Sequence, residues 1–303
     1  MSRRADPLRP VAAHSRYGGG YADPSAYTRR ASCDSQASAR CRARPPDSLL
    51  ALHDAGYREV AERLGTGVVL DVGCGVGDET VRLGGEGRFV LGVDYSAQTA
   101  VDAGREWGAG DQRESDVRFA GMDGSRLGIR SRSVDWACSS HLIEHFTNPE
   151  RHAAELARVL APEGTAFVIT PNAPADFENP FHVYLFDPAQ LASLLRIFFE
   201  EVEVLGLEGS PELQADFASR RASGERLLKL DALRLRHRLP RRLYVWGYEH
   251  ALPVVYRLLG SEGAGIGSGL DHTHFTMSDA IDASTPVLFA IARRPRPSVR
   301  ERA

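Results

Sequence analysis

Apolar and polar positions along this chain alternate between short β-branched runs and longer stripes with helical spacing. Val68, Val69, Leu70 and Val72 make one compact apolar run, and Phe89 to Val93 makes a second. Runs this short and free of charge suit strands buried on both faces. Further strands are predicted at Val117 to Ala120, at Val134 to Cys138, at Gly164 to Thr170, across Val202, Val204 and Leu205, and finally at Val287 to Ala292. Between them, Leu49, Leu52, Tyr57, Val60 and Leu64 recur at helical spacing, as do Ala153, Leu156, Ala157 and Leu160, and Leu191, Leu194, Leu195 and Phe198. Ala97 to Trp107 reads as another helix, and a polar helical start is expected at Asp78. Asn148 followed by Pro149, and Asp187 followed by Pro188 and Gln190, are helix starts with a capping side chain and a proline in the first turn. Seven strands interleaved with helices predict an α/β fold: an open, doubly wound sheet with helices on both faces and an antiparallel last strand. Residues 210–285, ahead of that strand, read as a mostly helical insertion.

The stretch Val68 to Asp94 carries the first chemistry. Its strand ends in Gly73, Cys74, Gly75, Val76 and Gly77, where glycines allow a tight turn and close approach of backbone to a ligand. The second strand ends on Asp94. A strand, a glycine turn and a second strand presenting a carboxylate form the half-unit that binds nucleosides in Rossmann-like folds. The glycines are spaced GxGxG, whereas the dinucleotide fingerprint is GxGxxG around a pyrophosphate. Asp71 stands two residues before the first glycine, where a negative charge repels a pyrophosphate and tolerates a cation. S-adenosylmethionine, a nucleoside with an ammonium and a sulfonium but no phosphate, suits such a loop. Asp94 is placed to accept its ribose hydroxyls.

DVGCGVG with an acid downstream resembles motifs I and II of class I S-adenosylmethionine-dependent methyltransferases. A second block, VDWACSSHLIEHF through LAPEGTAFVITPN, resembles the same family: a Glu-His pair follows the fourth strand and the turn Ala161, Pro162, Glu163, Gly164 precedes the fifth. The resemblance, to methyltransferases of the type 11 kind, runs roughly from Asp47 to Gly209 with the final strand. It implies a seven-stranded Rossmann-like methyltransferase sheet and S-adenosylmethionine as cofactor. It further implies a cofactor site of Asp71, Gly73, Cys74, Gly75, Gly77, Asp94, Tyr95, Met122, Asp123 and Ser139. Within that set, Met122 and Asp123 lie where the family places an apolar contact and an acid near adenine. An Asp that merely caps a turn is the alternative for Asp123. The first helix in such proteins covers the cofactor, so His53 and Tyr57 are candidates for ligand contact. A methyl group on sulfonium is already activated, and the protein's task is to align an acceptor and remove a proton. His145 and His182 are the candidate bases for a hydroxyl acceptor, with Glu144 and His141 behind them.

Composition narrows the rest. The 303 residues, 43% of them apolar, suffice for one large core with an appended subdomain. A net charge of −3 argues against generic nucleic-acid binding. Residues 1–47 are rich in Arg, Pro, Ser, Gly and Ala and are expected to be a disordered extension before a methyltransferase domain over 48–297. No apolar run long enough for a membrane span or a signal peptide occurs, so a cytoplasmic location is expected. Cys33, Cys41, Cys74 and Cys138 contain no CxxC pair, and the last two read as reduced, half-buried residues. Leucines alternating with Arg226, Lys229, Arg234, Arg236 and Arg238 make residues 220–242 either a peripheral membrane contact or a solvated helix. The insertion as a whole reads as a wall of the acceptor pocket. Asp271 to His274 offers two histidines and no third ligand nearby, so no metal is assigned. The acceptor class expected is a small molecule, a lipid-linked precursor or a sugar hydroxyl. A non-catalytic nucleoside-binding scaffold is the rival reading.

Overall fold

A computed structural model describes residues 46–108, 116–176, 182–219 and 268–297. In chain order its elements are α1 (Asp47–Arg63), β1 (Gly67–Val72), β2 (Arg88–Asp94), α2 (Ala97–Trp107), β3 (Asp116–Gly121), β4 (Val134–Ser140), α3 (Pro149–Val159), β5 (Leu160–Pro171), α4 (Pro188–Phe198), β6 (Phe199–Gly209), β7 (Phe275–Ser278) and β8 (Val287–Pro295). The strands form one sheet in the order β3-β2-β1-β4-β5-β8-β6-β7. Pairings from β3 through β5 are parallel, while β8 runs antiparallel to both β5 and β6. This is the doubly wound, Rossmann-like architecture with an antiparallel strand inserted near one edge.

The two cores follow from the pleat. Successive strand residues point to opposite faces, and β1 obeys this closely. Leu70 and Val72 pack with Ala153, Leu156, Leu191 and Leu194 beneath α3 and α4, whereas Val69 packs with Leu52 and Val60 of α1 and with Phe167 and Phe289 on the other side. Asp71 shares parity with Val69, so the chain aims its carboxylate at α1. The caps expected at two helices are formed: Asn148 Oδ1 accepts from the Arg151 amide at 3.1 Å, and Asp187 and Gln190 make a reciprocal capping box.

Three expectations need correction. The sheet has eight strands rather than seven, because β7, from within the insertion, adds antiparallel to β6 along Gly206–Gly209. The described part of that insertion is therefore mixed, with residues 211–219 helical and 275–278 extended. In place of a full helix after the glycine loop there is one 3-10 turn, Thr80–Leu83. Gly84 and Gly85 follow at once, leaving too few residues to nucleate a longer helix. Finally β5 starts at Leu160 and not at Gly164: Leu160 pairs with Val134, the register shifts, and Thr165 pairs with Trp136. The Ala161–Gly164 turn is thus an irregularity inside a strand. Residues 1–45 and 220–267, the latter including the basic stretch and most of the expected insertion, lie outside the described residues.

The Asp271–His274 segment has a structural role. Asp271 caps a 3-10 turn, accepting from the Thr273 amide at 2.9 Å, while His272 Nδ1 reaches Asp54 of α1 at 3.0 Å. It fastens the end of the insertion to the first helix.

Candidate functional site

The strand order reverses between β1 and β4, and ligands of such sheets bind at the carboxyl ends of the strands around that reversal. Two groups of side chains gather there. On the β1–β3 side, the amides of Gly73 and Cys74 both donate to the Val93 carbonyl, at 2.8 and 3.1 Å, which moors the loop to β2. Gly73 and Gly77 have φ of 87° and 86°, values that disfavour any side chain. The loop's outer edge is held by Trp107, whose Nε1 donates to the Val76 carbonyl at 3.0 Å.

Asp94 closes this half. Its Oδ2 accepts from the Gly75 amide at 3.2 Å and its Oδ1 from the Ser96 amide at 2.8 Å. Burial raises its carboxyl above the ordinary range, and those two amides oppose the rise. Each oxygen accepts one hydrogen bond from the described residues and so retains capacity for another. Tyr95 follows, half-buried, at the mouth of α2. The Met122 amide donates to the Asp94 carbonyl at 2.8 Å, which sets Met122 and Asp123 beside Asp94 at the end of β3. Asp123 does cap a turn, its Oδ1 accepting from the amide and hydroxyl of Ser125 at 2.8 Å each. Both bonds to described residues fall on one oxygen, leaving the other for a ligand. Cys74 is buried and its thiol pKa is pushed up, chiefly by burial, so it stays protonated.

Asp71 lies under the loop instead of on its surface. The carboxylate is fully buried and receives the Thr80 hydroxyl at 2.6 Å and the Tyr57 hydroxyl at 3.1 and 3.2 Å. Burial raises its pKa to about 6, against the hydrogen bonds from Thr80 and Tyr57. Ser139 is likewise fully buried, with Oγ 2.8 Å from His152 Nε2, while His152 Nδ1 lies 2.8 Å from the Gly124 carbonyl. Burial lowers the His152 pKa to about 4, so the ring is neutral. A neutral ring that donates from Nδ1 must accept the Ser139 hydroxyl at Nε2. The hydroxyl ties β4 to α3 and to the β3–β4 connection.

The second group stands at the ends of β4 and β5. His141 has φ of 49°, a left-handed conformation uncommon for histidine, and is followed by the 3-10 turn Ile143–His145. Leu142 turns back onto the glycine loop: a Cβ placed on Gly73 would lie 3.1 Å from it. The loop and the polar group are thus in direct contact. Glu144 is fully buried and accepts the Thr170 hydroxyl at 3.0 Å. Burial would raise its pKa, but the nearby imidazoles, His141 first and then His145 and His182, win and hold it at about 2. The backbone carbonyl of Glu144 accepts from the Val183 and Tyr184 amides at 2.8 and 3.0 Å. This brings His182 beside His145, ring centres 5.2 Å apart, edge to face. His182 Nδ1 lies 2.8 Å from Asp176 Oδ2. From α1, His53 reaches His141 at 4.5 Å between ring centres; Tyr57, one turn along the same helix face, bonds Asp71.

The structure thus brings the rings of His145 and His182 together. It also places Asp176, Thr170 and Thr80 in supporting positions that no motif marks. Their only sequence signal is polarity next to a strand end.

A family described as "Methyltransferase domain" matches residues 70–168, from the middle of β1 to the middle of β5. Among curated relatives, a protein of Mycolicibacterium smegmatis named "Probable S-adenosylmethionine-dependent methyltransferase" is 30% identical over 173 residues, covering 54% of this chain and 65% of its own length. A similarly named protein of Mycobacterium tuberculosis is 32% identical over 169 residues, 54% of this chain and 59% of that one. The chain therefore spans less than two thirds of these relatives. The crystal structure of a S-adenosylmethionine-dependent methyltransferase from Thermotoga maritima superposes with a TM-score of 0.49 at 17% identity, covering 81% of this chain and 90% of that one. The sheet order and the glycine loop agree with the match of residues 70–168 to the methyltransferase-domain family.

Proposed function

We propose that this protein transfers a methyl group from S-adenosylmethionine to a hydroxyl oxygen on a small molecule, a sugar or a lipid-linked precursor. The observation that carries this reading is the contact between its two half-sites: Leu142, on the turn that bears Glu144 and His145, packs against Gly73 of the cofactor loop. The residues present fit the cofactor. Asp94 has acceptor capacity for two ribose hydroxyls, the glycines leave the loop without side chains, and the ionised form of Asp71 beneath it favours a cationic ligand.

When bound, S-adenosylmethionine supplies an already activated methyl group. This chain's own residues hold the nucleoside at Asp94, bring the acceptor to the ends of β4 and β5, and ease loss of the acceptor proton at His145 and His182. The Asp176 carboxylate orients His182 through Nδ1. The test is a screen of small hydroxylated metabolites and glycolipids with isotopically labelled methyl donor. Labelled product bearing an O-methyl group is expected. Label found only on nitrogen or carbon would overturn the choice of oxygen, and no transfer despite cofactor binding would favour a nucleoside-binding scaffold.

A further inference from the structure

Glu144, His145 and His182 each present one donor atom, and those atoms all lie within 4.8 Å of one another. We propose that they hold a divalent transition-metal ion at the acceptor side of the cofactor loop. The proposal deepens the methyl-transfer reading and rests on it for the ion's role, though not for its binding.

Three observations converge on the ion. Glu144 is fully buried, yet its Oε1 has no hydrogen-bond partner among the described residues. The nearest imidazole nitrogens are His141 Nδ1 at 3.6 Å and His145 Nε2 at 4.0 Å, both too long for hydrogen bonds. The other oxygen is fixed by the Thr170 hydroxyl. A buried carboxylate oxygen without a partner is costly unless a cation meets it. Second, the 2.8 Å contact from Asp176 Oδ2 to His182 Nδ1 is the carboxylate–imidazole arrangement that fixes a metal-binding histidine and leaves Nε2 as ligand. Third, the backbone clamps this geometry, since Glu144 holds the Val183 and Tyr184 amides. Bonds of about 2.1 Å to a tetrahedral ion put donors about 3.4 Å apart, so binding asks for a contraction of up to about 1.4 Å from the 4.8 Å spread. Side-chain rotation supplies that.

Two imidazoles and one carboxylate suit Zn²⁺, Fe²⁺, Co²⁺ or Mn²⁺ better than Mg²⁺ or Ca²⁺. Three protein ligands leave a position open for an acceptor hydroxyl. There the hydroxyl releases its proton to solvent. Its oxygen bonds the methyl carbon, the carbon–sulfur bond breaks, and the sulfonium becomes a neutral thioether with no change of oxidation state. The imidazoles act as ligands in this step.

The full untagged chain is stripped with chelator, incubated with each of the six ions, desalted and analysed for bound metal, with Co²⁺ absorption as a spectroscopic check. About one transition-metal ion per chain is expected, with negligible Mg²⁺ or Ca²⁺ and a low-symmetry Co²⁺ spectrum. Glu144→Gln and His145→Ala should abolish both signals. Asp176→Asn, which keeps all three ligands, should weaken affinity about 10- to 100-fold. Asp94→Ala should bind metal as wild type does. No bound transition metal in the wild type, or unchanged binding in Glu144→Gln, overturns the proposal. Metal bound without any methyl transfer would remove the catalytic role and keep the site. Methyl transfer that survives complete chelation would keep the proposed function and overturn the ion's catalytic role.

Discussion

Replacing Asp71 by Asn should stabilise the fold at neutral pH while weakening cofactor binding. The carboxylate is fully buried and its pKa is raised from the usual 3.8 to about 6, mainly by burial. A raised folded-state value means that the group adds no penalty below about pH 4, where both states are protonated. Stability is then lost as pH climbs towards 6 and stays lost above it. The gap of about two pH units at about 1.4 kcal/mol each is worth about 3 kcal/mol above pH 6. Asn has the same shape, and the Thr80 and Tyr57 hydroxyls can each turn to donate or accept. Imperfect re-pairing offsets part of the gain, which leaves about 1–3 kcal/mol. Urea unfolding of wild type and Asp71→Asn at pH 4 and pH 7.5 measures it. The account expects near equality at pH 4 and the variant ahead at pH 7.5. Calorimetry on the same proteins should show S-adenosylmethionine bound at least about tenfold more weakly by the variant, equivalent to about 1.4 kcal/mol. A variant less stable than wild type at pH 7.5, or a stability difference that does not change with pH, would refute the electrostatic reading.

Gly77→Ala should cost at least about 1–2 kcal/mol and impair cofactor binding, because φ is 86° and the new Cβ would lie 2.7 Å from the Phe119 ring. Thermal unfolding and calorimetry report both effects. Ser139→Ala should lower stability by about 1–3 kcal/mol by leaving His152 Nε2 without its buried partner, while the Kd for S-adenosylmethionine stays within about twofold. A large loss of affinity there would return Ser139 to the cofactor site.

The strands around the glycine loop were legible because parallel strands buried on both faces are written as unbroken apolar runs, as at Val68–Val72 and Phe89–Val93. Asp94 could be placed because it ends such a run. The direction of Asp71 was also written in the pleat, since it shares parity with Val69; its closeness to the loop in sequence suggested exposure that the burial by α1 removes. β7 escaped notice because Phe275–Ser278 is four residues long and pairs, among the described residues, with the edge of β6. The grouping of Glu144, His145 and His182 rests on tertiary contact. His182 is far along the chain from the Glu-His pair, and the amides of Val183 and Tyr184 help to bring it back. A spacing motif cannot encode that.

The account stands on Asp94 and the glycine loop as a cradle for a cationic nucleoside. Isothermal calorimetry of the full chain with S-adenosylmethionine, S-adenosylhomocysteine and NAD, repeated on Asp94→Ala, tests this directly. Saturable binding of the two adenosyl compounds, none of NAD, and loss of both in a variant that still unfolds cooperatively is the result predicted. Undiminished S-adenosylmethionine binding in Asp94→Ala, or preferential binding of NAD by the wild type, would contradict it.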